Sequence, residues 1–195
     1  MAEFDQWLTP PGVAEAFLAW SGVRDDDIVI EPAAGEGALV PRDGSGVLAF
    51  EIDPERVAEL QYWKPKTSVV CCDFLSIPPP PEPIADVCIQ NPPYSEDGEG
   101  VFIRRGLLWA PRCCGLLRAG AIQGNGRWEK CWRHVRPTRI ASLIHRPHFE
   151  GIYGSTTKWT PQYDFMAVDC VLREKPLDRW ERHTDKIEFS WVFWR

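Results

Sequence analysis

Asp27-Ile-Val-Ile-Glu31 runs straight into Pro32-Ala-Ala-Gly-Glu-Gly37: a short apolar run, then a turn with glycines two residues apart. A buried strand followed by a glycine-containing turn opens a β-turn-α unit, since glycine lets the backbone fold tightly or approach a ligand. The pattern then repeats. Val47-Leu-Ala-Phe-Glu-Ile52 leads to Asp53-Pro54 and a helix through about Tyr62, and Thr67-Ser-Val-Val-Cys-Cys72 ends at Asp73-Phe74. A fourth run, Ala85-Asp-Val-Cys-Ile-Gln90, stops at Asn91-Pro-Pro-Tyr94. Upstream, Pro10-Pro11 fixes the start of a helix whose apolar face is Val13, Phe17 and Leu18. Downstream, a helix is expected near 98–110 and strands near 114–122, 138–145 and 163–172. The proline run Pro78 to Pro81, with Pro83, is an extended connector. Strands alternating with helices, and acids at the strand ends, predict a single α/β domain with a doubly wound, mostly parallel seven-stranded sheet.

A chain of 195 residues suits one domain over 1–195, and 44% hydrophobic against 26% charged residues excludes a wholly disordered chain. No apolar run approaches the ~20 residues that span a bilayer, and Met1-Ala-Glu-Phe-Asp-Gln has no basic start, so neither anchor nor secretory leader is expected. The seven cysteines have no metal spacing and sit mostly in apolar runs, which points to a reducing cytoplasm. The four histidines form no metal-spaced pair either, and no metal is expected. The net charge of −6 hides an asymmetry. Residues 1–100 hold 5 Lys+Arg against 19 Asp+Glu, and residues 101–195 hold 17 against 9. A basic second half allows nucleic acid as a partner, because phosphate responds to the local field.

In such sheets ligands bind at the carboxyl ends of the strands. The first turn has neither the spacing of a dinucleotide site nor the Gly-Lys of a phosphate loop, and it carries Glu31 and Glu36. An acidic turn repels pyrophosphate and suits a nucleoside ligand bearing positive charge. S-adenosylmethionine, with its sulfonium and ammonium groups, has that character. Glu51, or Asp53 beyond it, is placed to accept from two ribose hydroxyls. Asp73 is placed to accept from an exocyclic amine, with Phe74 as an aromatic edge beside an adenine.

Asn91-Pro92-Pro93-Tyr94 is the sharpest signal. Consecutive prolines impose extended geometry and remove two backbone donors. The Pro92 carbonyl and the Asn91 side-chain oxygen then both face one incoming amine. An amine conjugated to a ring is a poor nucleophile, and two acceptors on its hydrogens aim its lone pair at an electrophilic methyl. Tyr94 offers a face for stacking a planar base.

Taken together these segments resemble the S-adenosylmethionine-dependent DNA N6-adenine methyltransferases of the gamma arrangement. Thr9-Pro-Pro11 resembles their N-terminal motif and Glu31 to Gly37 the first cofactor motif. Phe50-Glu-Ile-Asp-Pro54 resembles the ribose motif, Asp73-Phe-Leu75 the adenine motif and Asn91 to Tyr94 the catalytic motif. The resemblance spans roughly residues 7–95. It implies a Rossmann-like class I methyltransferase fold and methyl transfer to N6 of adenine in DNA. The cofactor would be held by Thr9, Glu31, Pro32, Ala33, Gly35, Gly37, Glu51, Ile52, Asp53, Asp73, Phe74 and Asn91. The chain departs from the family in having no room for a separate target-recognition domain, so sequence preference would come from loops or from a partner subunit. The helix after the first motif is also expected to be short, broken by Pro41 and Asp43-Gly-Ser-Gly46.

Residues 96–195 are expected to face nucleic acid. A target base inside a duplex would have to be flipped out to reach the pocket. Arg127, Lys130, Arg133 and Arg136 fall close to helical spacing, and Arg127 and Lys130 are candidate backbone contacts. Trp128 and Trp132, four apart, have core spacing. Phe149, Tyr153 and Trp159 are equal candidates for a second aromatic against the base, and Ser95-Glu-Asp-Gly-Glu-Gly100 has the composition of a mobile lid. RNA adenine, cytosine N4 and a protein glutamine amide present the same kind of amine and remain alternative acceptors. A catalytically silent nucleic-acid-binding subunit is the non-enzymatic alternative.

Overall fold

In a computed structural model of the chain, residues 7–94, 98–143, 150–151, 164–177 and 186–192 are described. In chain order the elements are β1 (Trp7–Leu8), α1 (Pro11–Ser21), β2 (Val29–Glu31), β3 (Val47–Glu51), α2 (Pro54–Trp63), β4 (Ser68–Cys71) and β5 (Val87–Gln90). There follow α3 (Gly98–Gly106), β6 (Cys113–Arg118), α4 (Asn125–Arg127), β7 (Val135–Leu143), β8 (Glu150–Gly151), β9 (Phe165–Leu172) and β10 (Glu188–Val192). Eight of these strands form one sheet in the order β10-β7-β9-β6-β5-β2-β3-β4, in which β9 alone runs against its neighbours; β1 pairs with β8. The expected doubly wound, mostly parallel sheet is present. It has one strand more than the seven expected: β10 lies outside β7 and parallel to it, in the alternating run Lys186-Ile-Glu-Phe-Ser-Trp191 that was not among the expected strands.

The helices start where their sequences dictate. Proline stands at the first turn of both α1 and α2, and Asp53 caps α2 by accepting from Glu55 N at 2.9 Å. Gly22, at φ +68, ends α1 in the left-handed conformation. The short helix expected after the first motif does not form. Residues 32–46 are successive turns, because Pro41 and the positive-φ Gly44 and Gly46 prevent propagation. Where Arg127 and Lys130 have helical spacing a helical segment does form, α4 continued by a π-helical turn at Trp128–Trp132, and it covers part of the sheet beside α3.

The inner strands β2, β3, β5, β6 and β9 bury both faces. One face packs Val13 and Phe17 of α1 and Leu60 of α2 against Val29, Ala49, Ile89 and Leu116. The other packs Phe102, Ile103 and Leu107 against Ile30, Phe50, Cys88 and Leu117. Each such fully buried Phe, Leu or Ile contributes about 1.5–3 kcal/mol. Cys88, Cys113, Cys114, Cys131 and Cys170 lie in this interior, and all seven cysteines are free thiols. Burial pushes the Cys88, Cys114 and Cys170 thiols well up and that of Cys131 to about 12. Among the described residues no helix is long and apolar enough to cross a membrane.

The chain runs from β2 outward through β3 and β4, then returns to β5 on the other side of β2. A crevice opens at such a reversal, at the carboxyl ends of β2 and β5. The Glu31 to Gly37 turn and Asn91-Pro-Pro-Tyr94 leave the sheet side by side at that point.

Candidate active site

A pocket at this crevice is lined by Leu8, Thr9, Glu31, Ala33, Gly35 and Asn91, among others. Residues 82 positions apart thus share one small space. Asn91 Nδ2 donates to Thr9 Oγ1 at 3.0 Å, and the Tyr94 hydroxyl donates to Asn91 Oδ1. The Asn91 amide is therefore gripped at both ends.

Glu51, at the end of β3, braces the glycine turn. Its carboxylate accepts from Gly35 N at 2.7 Å and from Asp53 N at 2.9 Å. Gly35 sits at φ +53 and Gly37 at φ +86, and a Cβ on Gly37 would lie 2.3 Å from Leu60 Cδ1. The turn is closed down onto α2 in a way a larger residue would block. Pro32 and Gly37 are buried within it, and Ala33 and Gly35 are half-buried.

The two acids of the first turn differ. Glu36 is ion-paired with Arg56. Glu31 is 1% exposed, takes a hydrogen bond from the Ala33 backbone, and leaves Oε2 without a partner among the described residues. Burial pushes its carboxyl well above the ordinary carboxylate range, and the neighbouring Glu51 adds to the rise. A buried carboxyl with an unpartnered oxygen at the edge of a pocket suits a cationic ligand group, whose charge would favour the ionised form.

Beyond β3, Ile52 is 44% exposed and offers apolar surface next to Glu51. Asp73 is exposed and caps the turn Phe74–Ser76 through Leu75 N at 2.9 Å. Phe74 corrects an expectation: its ring is 1% exposed and packs against Phe50 at 5.1 Å and Trp109 at 5.6 Å. Although Asp73 precedes it, the ring turns inward because Phe50, Phe102 and Trp109 give it an apolar surface to pack on. Tyr94 is also covered, at 7% exposure, with Phe165 on it at 5.5 Å and the Arg118 guanidinium 5.4 Å from its ring centre. Pro92 is buried and Pro93 half-buried.

The basic residues do not form a track along the crevice. Arg127 is half-buried and donates to the carbonyls of Gly120 and Gln123, bracing a turn, whereas Lys130 is exposed. Arg133 pairs with Glu129, and Arg136 is not helical at all: it lies in β7, level with the start of β6 and hence at the opposite edge of the sheet. The π-turn descends toward that edge, which breaks the helical spacing read from the sequence. Burial, then Arg104 and Arg133, hold the His134 imidazole below its usual pKa. Trp132 is core, as its spacing implied, with Nε1 donating to Ala121 O at 2.8 Å.

Gly98–Gly100 are not part of a lid but the first turn of α3, with Glu99 buried; 95–97 lie outside the described residues. Phe149, Tyr153 and Trp159 also lie outside them. The sequence reading missed Leu8, Ala34 and Leu39 of the pocket, and Glu99 and Arg118 beneath Tyr94. Adjacency to the Thr9 and Glu31 motifs could have flagged the first two; nothing local marks Arg118. Among the described residues no cluster of His, Cys, Asp or Glu could hold a metal ion.

No family model and no curated protein matches the chain. Solved structures do. A provisionally assigned RNA methyltransferase of Pyrococcus horikoshii aligns with a TM-score of 0.64 at 18% identity, covering 88% of this chain and 87% of that one. A provisionally assigned class I S-adenosylmethionine-dependent methyltransferase of Listeria monocytogenes aligns at 0.62 and 14% identity, over 98% and 68%. A modification subunit of a provisionally assigned type I restriction enzyme from Vibrio vulnificus aligns at 0.62 and 12%, over 93% of this chain and 49% of that one. The chain has the class I methyltransferase fold.

Proposed function

We propose that the chain transfers a methyl group from S-adenosylmethionine to the exocyclic N6 amine of adenine in DNA. The observation that carries this reading is the seating of Asn91, from Asn-Pro-Pro-Tyr, in the same pocket as Glu31 and the Gly35 turn. The residues present fit the cofactor. The unpartnered Glu31 oxygen suits its ammonium group, the remaining lone pairs of Glu51 suit its ribose hydroxyls, and exposed Ile52 suits its adenine face. Thr9 and Asn91 would border its methionine end and Asp73 its adenine amine. Bound there, the cofactor supplies an electrophilic methyl on sulfonium sulfur.

The chain's own part is orientation. Asn91 Oδ1 and the Pro92 carbonyl accept the two amine hydrogens and turn the nitrogen lone pair toward the methyl. The amine's excess proton leaves to solvent, so little general-base strength is needed, and the rate rests on alignment and exclusion of water. Stacking of the base on Tyr94 requires Arg118 or Phe165 to yield one side of the ring. The hydrogen bond from the hydroxyl to Asn91 is a second role for Tyr94. Tyr94→Phe keeps the ring and removes the donor. Its kcat is expected to fall about tenfold, with cofactor KM unchanged, since such a hydrogen bond contributes about 0.5–1.5 kcal/mol. An unaltered kcat would return the role to the ring.

Glu31 gives the site a pH dependence. The folded protein keeps a proton that the unfolded chain releases at about pH 4.3. Stability therefore falls as pH rises from there toward the raised pKa of Glu31. Glu31→Gln has no proton to lose. Its thermal midpoint at pH 8 is expected above that of the wild type, while its cofactor affinity falls at least about tenfold, the loss of roughly one charge-assisted hydrogen bond. Melting curves at pH 5 and 8, with and without S-adenosylmethionine, check both signs.

The second half, 96–195, is the side proposed to meet nucleic acid, with Lys130 the exposed cation among the candidates. Sequence preference would come from loops or from a recognition partner, a reading supported by the restriction-modification neighbour. RNA adenine is the second reading, favoured by the RNA methyltransferase neighbour. The test offers methyl-labelled cofactor with duplex DNA, single-stranded DNA, RNA and protein extract, and identifies the product by mass. N6-methyladenine in DNA is the expected product. Label confined to RNA or protein would overturn the substrate while leaving the Asn91 chemistry in place.

A further inference from the structure

Below Asn91-Pro-Pro-Tyr94, the last residue of β6 meets the first turn of α3. Arg118 Nε donates to Glu99 Oε1 at 3.0 Å, Nη2 donates to Oε2 at 2.7 Å, and the Arg118 backbone N also donates to Oε1 at 3.0 Å. Glu99 is 1% exposed and accepts all three. The same Nη2 donates to the Tyr94 carbonyl at 2.5 Å, and the guanidinium lies beside the Tyr94 ring. Tyr94 in turn donates to Asn91, and Asn91 to Thr9. The start of α3 is pressed onto the same segment: a Cβ on Gly98 would lie 2.6 Å from Pro93 O. A continuous series of contacts thus runs from a buried carboxylate through Arg118 and Tyr94 to the Asn91 amide.

We infer that Glu99 and Arg118 are positioning residues for amine transfer, holding Tyr94 by its carbonyl and its ring and thereby setting the Asn91 oxygen. Two points single out this pair. Serving Glu99 and a backbone carbonyl together needs several donors in a fixed plane, which guanidinium has and ammonium lacks. Pro92 and Pro93 also carry no N–H, so the segment has few ladder hydrogen bonds of its own and needs an outside hold. An ion pair serving merely to attach α3 to β6 would have no reason to reach the Tyr94 carbonyl.

This inference rests on the proposed function, so its test has an arm that does not. Removing Arg118 alone would leave Glu99 buried and unpaired and threaten folding. The double variant Glu99→Gln/Arg118→Met removes both charges at similar size, and Arg118→Lys keeps the charge without the fork. In the free protein, hydrogen exchange at the Tyr94 amide and at the Gly98 to Gly100 amides is expected to quicken at least about tenfold in the double variant and less in Arg118→Lys. Circular dichroism and cofactor affinity are expected to hold within about threefold. The kcat is expected to fall about 100-fold, the scale of a 1 Å misplacement, with cofactor KM little changed. Wild-type exchange and kcat in the double variant, or a lowered melting point with kcat unchanged below it, would reduce the pair to a structural tie. If the wild type methylates no acceptor, the proposed function fails, and exchange alone decides whether the pair holds the segment.

Discussion

Asn91→Ala is expected to lower methyl transfer by about 10²–10³-fold or more, the scale seen when one preorganised polar contact to a reacting centre is removed. The effect should fall on kcat. Asn91 borders the pocket, but the turn at Gly35 and Glu51 is the part proposed to hold the cofactor, so cofactor affinity is expected to stay within about fivefold. Alanine also strands two partners, the Thr9 hydroxyl and the Tyr94 hydroxyl, which both lose their shared amide. A modest drop in thermal midpoint follows from that loss, since an unmade buried hydrogen bond costs about 1–3 kcal/mol. Single-turnover transfer and calorimetric titration of S-adenosylmethionine separate the two effects. A variant with full activity would remove Asn91 from the chemistry.

Glu51→Ala should do the opposite: cofactor affinity falls about 100-fold, and kcat at saturation changes far less. Its carboxylate fixes Gly35 N and Asp53 N at once, so its removal loosens both the glycine turn and the entry to α2. Hydrogen bonds to a charged group contribute about 1.5–3 kcal/mol each, and two are lost before any ribose contact is counted. Glu51→Gln supplies the control. The amide can accept through its carbonyl oxygen but not at both ends, and it should fall between wild type and alanine. Unchanged affinity in Glu51→Ala would move the hydroxyl contact to Asp53.

Most of what places this site was legible in the sequence because it depends on local chemistry. Val29–Glu31 and Val87–Gln90 are short apolar runs with a breaker at their carboxyl ends, so both strands and both turns at the pocket follow from period and punctuation. What failed depended on context. Phe74 stands beside an acid at a strand end, yet Phe50, Phe102 and Trp109 draw it inward. The basic spacing from Arg127 to Arg136 looked helical until a π-turn and the start of β7 divided it. Glu99 sat among glycines and acids that suggested solvent, and its partner Arg118 is 19 residues away on another element. No local period or spacing rule joins two residues that far apart on different elements.

The sequestered thiols have a practical consequence. Five cysteines lie in the interior, and the half-buried Cys72 is held above its ordinary pKa by burial and by Asp73. Cys71 is the exposed one, two residues before Asp73 at the end of β4. Electrophilic dyes attack thiolates they can reach, so the native protein should take a single label there without any engineering. A fluorophore at Cys71 would sit at the carboxyl end of β4, level with Glu51 on the neighbouring strand, and would report optically on changes at that end of the sheet in the unmodified sequence.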